Sequence, residues 1–177
     1  MTEGMELLAQ TIISGNLLLI QGLGLYALTR YTKSVKQAAK SGGITAGAMF
    51  IGSLVLWALN GVSFNSPSAQ IGFYTLVGVC SAVAAQKLFN PEFSVEEGMF
   101  DSAVVGSLLL LCQNNVLGVD GIWTALGAGA GYFLALTVMA TLRERLELAP
   151  VPKALQGTPI MLITAGLLAV ALLGFRF

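Results

Sequence analysis

Six stretches of mostly apolar residues divide the chain, and each is long enough, or nearly so, to cross a bilayer as a helix. One helical crossing takes about 20 predominantly apolar residues. The stretches cover approximately residues 5–29, 42–59, 71–88, 103–117, 121–142 and 159–175. This pattern predicts an all-α integral membrane protein with six transmembrane helices.

The first and fourth stretches carry polar interruptions. Stretch one contains Asn16 and Gln21 among several glycines, and stretch four ends in Gln113, Asn114 and Asn115. Amide side chains and unpaired backbone groups in hydrocarbon are costly unless protein or water satisfies them. We therefore expect broken or half helices in spans one and four, with these amides forming a polar lining near the middle of the membrane.

Six spans divide into two groups of three. Because three is odd, the second group must run in the opposite sense to the first. Interrupted segments in corresponding positions of two inverted halves are typical of a site at the membrane midplane. We expect one membrane domain over residues 1–177, built from inverted three-helix repeats at about 1–90 and 91–177.

The amide residues have two interpretations. They could line a path for an ion or water, or a pocket for a quinone-like headgroup. Alternatively, they form inter-helix hydrogen bonds, each contributing about 0.6 kcal/mol in membranes. The sequence favours the second, since amides coordinate cations weakly and the nearest carboxylate, Asp120, is expected at the outer interface.

Composition agrees with a membrane protein and excludes several kinds of chemistry. Hydrophobic residues make up 55% of the chain and charged residues 10%, against about 25% charged in soluble domains. There is no His, the commonest metal ligand, and the two cysteines form no CxxC pair. The net charge is zero, so nucleic acid is not an expected partner, whereas lipid is.

The positions of Lys and Arg predict the orientation, because cytoplasmic loops are enriched in these residues. With six spans, the connections after spans one, three and five share a side, and the first is expected to be a basic loop over residues 30–40. This side holds eight of the nine basic residues and the other side holds Arg176; the eight are Arg30, Lys33, Lys36, Lys40, Lys87, Arg143, Arg145 and Lys153. Both termini should therefore face outward, away from the cytoplasm.

Several segments resemble a known family. They are LRERL at 142–146, VPKALQG at 151–157, ITAGLL at 163–168 and NVLGV at 115–119. In these segments the chain resembles the RnfA/NqrE-type subunits of the Rnf and Na⁺-translocating NADH:quinone reductase complexes. The resemblance implies a multi-pass protein of the bacterial cytoplasmic (inner) membrane. Its implied partners are further subunits of a membrane complex, among them a homologous subunit of opposite orientation.

The same resemblance implies a cofactor whose ligands this chain lacks. Two such subunits each contribute two cysteines to a membrane-embedded [2Fe-2S] cluster. Here the two ligand positions fall on Tyr26 and Asn114, and Cys112 lies two residues earlier, about 200° around a helix. Iron–sulfur clusters need thiolates, occasionally with imidazole. We therefore expect no [2Fe-2S] cluster, no other metal site and no catalytic residue on this chain.

The resulting hypothesis is a cluster-less subunit that serves as a scaffold or interface in an Rnf/Nqr-like electron-transfer or ion-translocating complex. Any enzymatic activity would then belong to the assembly. Two alternatives stay open: an accessory structural subunit of another respiratory or photosynthetic membrane complex, and a stand-alone inverted-repeat transporter.

Overall fold

Helices make up all the regular structure in the described part of the chain. The computed structural model describes residues 2–13, 15–59, 66–89, 102–114 and 118–174. The helices are α1 (Thr2–Ile12), α2 (Leu25–Tyr31), α3 (Val35–Ala58), α4 (Pro67–Phe89), α5 (Ser102–Gln113), α6 (Val119–Glu147) and α7 (Thr158–Leu173), with a short 3-10 helix at Lys153–Leu155.

Three of these helices, α3, α4 and α6, are long and apolar enough to cross a membrane. The helices α5 and α7 are also apolar but have only 12 and 16 residues. At about 1.5 Å per residue, α5 extends about 18 Å, against a hydrocarbon thickness of about 30 Å. The prediction of an all-helical protein is confirmed for the described residues, and three helices have the length and apolar composition of membrane spans. The first apolar stretch is divided between α1 and α2.

The basic segment 30–40 is mostly helical, with only a short turn at residues 32–34, which corrects the expectation of a loop. Arg30 belongs to α2, and Lys36 and Lys40 belong to α3. The cause is Ser34, whose hydroxyl accepts a hydrogen bond of 3.3 Å from the backbone N–H of Gln37 and caps the helix. This cap starts α3 seven residues before the apolar stretch that begins at residue 42.

Small residues bring α3 and α6 together as an antiparallel central pair. A methyl group added at Gly42 would lie 3.3 Å from Phe133 Cα, and one at Gly129 would lie 3.0 Å from Ala46 Cβ. As numbering rises along α3, it falls along α6, so the helices run in opposite directions. Small residues permit this close backbone approach.

The opposite face of α6 packs against α1. A methyl group at Gly127 would lie 3.3 Å from Leu8 Cα, and one at Gly131 would lie 3.1 Å from Ile12 Cα. Since Gly127 and Gly131 are one turn apart, they share a face, whereas Gly129 lies about 200° away. The two contacts rise together along both chains, so α1 and α6 are parallel.

The half-length helix α5 lies against α3 and α4. A methyl group at Gly52 would lie 2.8 Å from Leu108 Cδ1, and one at Gly78 would lie 3.1 Å from Val105 Cα. Leu108 also belongs to a buried apolar cluster with Tyr74 of α4. Thus α5, from the second half of the chain, packs on the first half.

Arg143 ties the C-terminal end of α6 to the end of α2. Its Nη1 donates hydrogen bonds to the backbone oxygen of Thr29 (3.3 Å) and to Thr32 Oγ1 (3.2 Å). Its Nε lies 3.3 Å from Glu147 Oε1. The basic residues that follow span one and those that end span five therefore lie at the same end of the molecule.

Candidate functional site: a polar cavity beside a broken helix

The break between α1 and α2 is held open by the side chain of Asn16, which is only 4% exposed. Its Nδ2 donates hydrogen bonds to the backbone oxygens of Ile12 (3.1 Å) and Gly131 (3.0 Å). Its Oδ1 accepts from the backbone N–H groups of Leu18 and Leu19, both at 3.1 Å. One amide therefore satisfies backbone groups that the interrupted helix leaves unpaired, and joins the break to α6.

The chain leaves the break through two glycines in the left-handed region. Gly22 has φ 67° and Gly24 has φ 83°, conformations that side chains with a Cβ disfavour. A methyl group at Gly24 would lie 2.8 Å from Tyr132 Cε2. Leu23 packs beside Gly106, where a methyl group would lie 2.6 Å from its Cδ1. The break is thus packed closely against α5 and α6.

A cavity of about 320 Å³ lies where α1 and α5 end, between the break and the first turns of α6. Along α6 its lining covers a region about 8 to 13 Å from the start of that helix, at 1.5 Å per residue. Half of the twelve described residues that line it have polar side chains, and none of the twelve is charged. The lining residues are Gln10, Thr11, Gly15, Leu17, Gln21, Ser107, Leu110, Leu111, Asn114, Thr124, Ala125 and Ala128.

The structure brings two of the amides singled out in the sequence, Gln21 and Asn114, to this cavity, from opposite halves of the chain. Asn16 is buried in the hydrogen bonds described above. The exposed side chain of Gln113 is not part of the lining. Asn115 lies outside the described residues.

The other two positions of interest lie apart from the cavity lining. Tyr26 is 46% exposed on α2, and its hydroxyl accepts a 2.6 Å hydrogen bond from Arg30 Nη1. The guanidinium carbon of Arg30 also lies 5.8 Å from the centre of the Tyr26 ring. The half-buried Cys112 packs against the apolar cluster that contains Leu108 and Tyr74. Neither residue lines the cavity.

Four polar lining residues were not predicted from the sequence: Gln10, Thr11, Ser107 and Thr124. A signal for Ser107 was present, because positions 107, 110, 111 and 114 follow the spacing of a single helix face. Two of those four positions are leucines, so hydrophobicity hid the pattern. Gln10 and Thr11 lie in the last turns of α1. Nothing in the sequence selects them, because their position beside the break follows only from the end of the helix at Ile12.

The described residues that line this cavity include no His, Cys, Asp or Glu. Across residues 2–13, 15–59, 66–89, 102–114 and 118–174, no three His, Cys, Asp or Glu side chains come together as a metal site. Among the described residues, the cavity lining contains amides, hydroxyls and apolar side chains only. This donor set can form hydrogen bonds with a ligand.

Long apolar helices and a polar cavity at a broken helix are typical of a helical membrane protein. Residues 99–177 match the family described as Rnf-Nqr subunit, membrane protein. The chain is 32% identical to a subunit of the ion-translocating oxidoreductase complex of Syntrophotalea carbinolica, over 96% of this chain and 94% of that protein. It is 30% identical, with the same coverage, to a subunit of the Na⁺-translocating ferredoxin:NAD⁺ oxidoreductase complex of Acetobacterium woodii. The chain belongs to the Rnf-Nqr family of membrane subunits.

Proposed function

We propose that this chain is a membrane subunit of a redox-driven, ion-translocating oxidoreductase complex of the Rnf/Nqr type. The observation that carries the proposal is similarity over nearly the full length to proteins named as subunits of such complexes. The shared length matters because it covers both the broken helix and the cavity. Electron transfer and ion movement are then properties of the assembly.

In this proposal the subunit does not ligate a cluster and serves as a scaffold and interface. Two features support this form. The described residues of the cavity lining, which include Asn114, carry no sulfur, and the Tyr26 hydroxyl accepts a hydrogen bond from Arg30. The exposed apolar side chains of α7 are available to lipid or to neighbouring subunits, including a homologous subunit of opposite orientation; they include Leu162, Ile163, Leu167, Val170 and Leu173.

The proposed architecture is a single domain of six crossings arranged as two inverted triplets. It is supported by the antiparallel pairing of α3 with α6 and by the parallel pairing of α1 with α6. A further support is that segments ending α1 and α5 line the same cavity. The proposed location is the bacterial cytoplasmic membrane, with both termini outside. The hydrogen bond from Arg143 to Thr29 supports this orientation, because it brings the basic residues that follow span one and those that end span five to the same end of the molecule.

Orientation can be measured by cysteine labelling in intact cells. In a Cys80→Ala, Cys112→Ala background, a cysteine introduced at Lys153 should react with a membrane-impermeant maleimide only after the cells are opened. A cysteine introduced at Val119, at the opposite end of α6, should react in intact cells. The reverse pattern would invert the proposed orientation.

Purification in mild detergent with a tag on this chain tests the assembly and its cofactor together. We expect co-purifying subunits of a redox complex, identified by mass spectrometry. Iron, acid-labile sulfide and the EPR signal after reduction should be the same in wild-type, Cys112→Ala and Cys80→Ala complexes. A loss of two iron atoms per complex in the Cys112→Ala variant would overturn the cluster-less form.

The same purification separates the alternatives. Co-purification with subunits of an unrelated respiratory or photosynthetic complex would instead indicate an accessory structural role. Solute or ion flux through liposomes that contain only this protein, and its loss in an Asn114→Leu variant, would indicate a stand-alone transporter.

A further inference from the structure

The hydrogen-bonding groups of the cavity come from uncharged side chains. Gln21 and Asn114 are exposed residues that line the cavity, and each carboxamide has two N–H donors and a carbonyl acceptor. The hydroxyls of Ser107 and Thr124 donate within their own helices, to the backbone oxygens of Val104 and Asp120, both at 2.8 Å. Those two hydroxyl oxygens therefore face a ligand mainly as acceptors.

The absence of charge in the lining selects the kind of ligand. No Asp, Glu, Lys or Arg is among the twelve lining residues. An ion in this cavity would lose part of its hydration and would meet neutral oxygens and N–H groups only, with no counter-charge, which is costly beside apolar walls. A neutral molecule with carbonyl or hydroxyl oxygens avoids this cost and can still pair with both carboxamides.

The remaining walls require an apolar portion in the ligand. Leu17, Leu110, Leu111, Ala125 and Ala128 supply the rest of the contact surface. The volume of about 320 Å³ is at the small end of ligand cavities. It suits a headgroup rather than a whole lipid. Gln21 and Asn114 are both exposed residues of the lining, so a hydrocarbon tail can leave the cavity beside them.

We propose that this cavity binds the uncharged, oxygen-bearing headgroup of a membrane amphiphile, held between the carboxamides of Gln21 and Asn114. Two sources share this chemistry: a benzoquinone with a hydrocarbon tail, which presents carbonyls, and a neutral glycerolipid, which presents hydroxyl and ester oxygens. The proposal concerns this chain alone and goes beyond its role in a complex, so its outcome does not depend on the assembly experiment.

Tryptophan fluorescence provides a local probe. The chain has two tryptophans, Trp57 and Trp123, and Trp123 adjoins the lining residue Thr124. A Trp57→Phe variant of the full chain in lipid nanodiscs therefore reports from beside the cavity. Titration with a decyl-substituted dimethoxybenzoquinone should quench this fluorescence saturably, above the linear quenching caused by partition into the lipid.

Neighbouring amides provide the matched variants. Asn114→Leu and Gln21→Leu, each in the Trp57→Phe background, should each raise the dissociation constant about tenfold, as expected for one lost hydrogen bond to a desolvated group. Gln113→Leu, an exposed neighbour outside the lining, should leave it unchanged. Gln21 lies in the non-helical break, so its variant gives an independent measurement if Asn114→Leu does not fold.

A second arm identifies the source of the ligand. Dioleoylglycerol included in the nanodiscs should compete with the quinone if a neutral glycerolipid headgroup occupies the cavity. Saturable quinone binding without such competition would assign the cavity to the quinone class. Quenching that is linear in all folded variants, or equal reductions in Asn114→Leu and Gln113→Leu, would overturn the proposal.

Discussion

Asn16 shows at the scale of one residue how a helix can be interrupted inside a membrane protein. Its amide makes four hydrogen bonds in a nearly fully buried position, and one of them reaches Gly131 on α6. Asn suits this role because it carries both donors and an acceptor on a short side chain. The polar residue thus stabilises the fold while the cavity uses other amides.

Replacing Asn16 by Ala should destabilise the protein by about 1 to 3 kcal/mol, because several buried backbone groups lose their hydrogen-bond partner. The expected measurement is a clear drop in the thermal unfolding midpoint in detergent. Gln113→Ala is the matched control, since that amide is exposed, and its midpoint should stay within error of wild type. Equal midpoints for both variants would contradict the role assigned to Asn16.

Gly24 combines two constraints that only glycine meets together. Its φ of 83° is left-handed, and an added methyl group would lie 2.8 Å from the Tyr132 ring. Gly24→Ala should cost about 2 to 4 kcal/mol, from backbone strain and overpacking. Gly43→Ala is the control, because nothing lies within 4 Å of an added methyl there, and Ala favours a helix. Chemical unfolding that shows similar stability losses for both variants would contradict this account.

At the scale of elements, α6 is organised by three glycines in the sequence Gly127-Ala-Gly129-Ala-Gly131. Gly127 and Gly131 face α1, and Gly129 faces α3. The spacing of two residues turns the helix by about 200°. Alternate glycines therefore admit one neighbour on each side. This places α6 at the centre of the molecule, with buried residues along much of its length.

Gly129→Leu should force α6 away from α3, because an added Cβ would already lie 3.0 Å from Ala46 Cβ. We expect loss of the monodisperse peak in size-exclusion chromatography, or a reduction of the unfolding midpoint by many degrees. Gly166→Leu on α7 is the matched control, since an added methyl there meets nothing within 4 Å. Normal elution and an unchanged unfolding midpoint of Gly129→Leu would contradict the close packing of α3 and α6 at this position.

At the scale of the whole molecule, the two proposed repeats are interlocked. The first helix of the chain, α1, packs on α6, and α5 packs on α3 and α4. Each half thus places its opening helix against the other half. The cavity results from this exchange, since Gln21 comes from one half and Asn114 from the other. The end of the chain is different, because α7 makes far fewer contacts with α6.

Dividing the chain tests this interlocking. Fragments 1–90 and 91–177 should fail to give stable protein when expressed separately, because α1, α3 and α4 each lose a partner helix. Co-expressed, the two fragments should purify together through a tag on one of them. A chain truncated after residue 150, which lacks only α7, should keep more of the native unfolding midpoint than either fragment. A separately stable fragment 1–90 would contradict the interlocked arrangement.

The sequence by itself determined the helical class, the membrane character, the approximate positions of the apolar helices and the polar interruptions. These follow from hydropathy and residue type, which are local properties of the chain. Local patterning also identified Gln21 and Asn114 as candidate site residues. It wrongly predicted a loop over residues 30–40, because the helix cap at Ser34 starts α3 within this polar segment.

Only the tertiary structure decided which amides share a cavity and which support the backbone. Asn16 and Gln21 are five residues apart, yet one is bonded to Gly131 and the other lines the cavity. Gln113 and Asn114 are adjacent, yet only Asn114 lines it. The physical reason is that burial depends on the close approach of α1, α5 and α6, which come from distant parts of the chain. The glycines allow that approach, but residue type alone does not specify which helices meet.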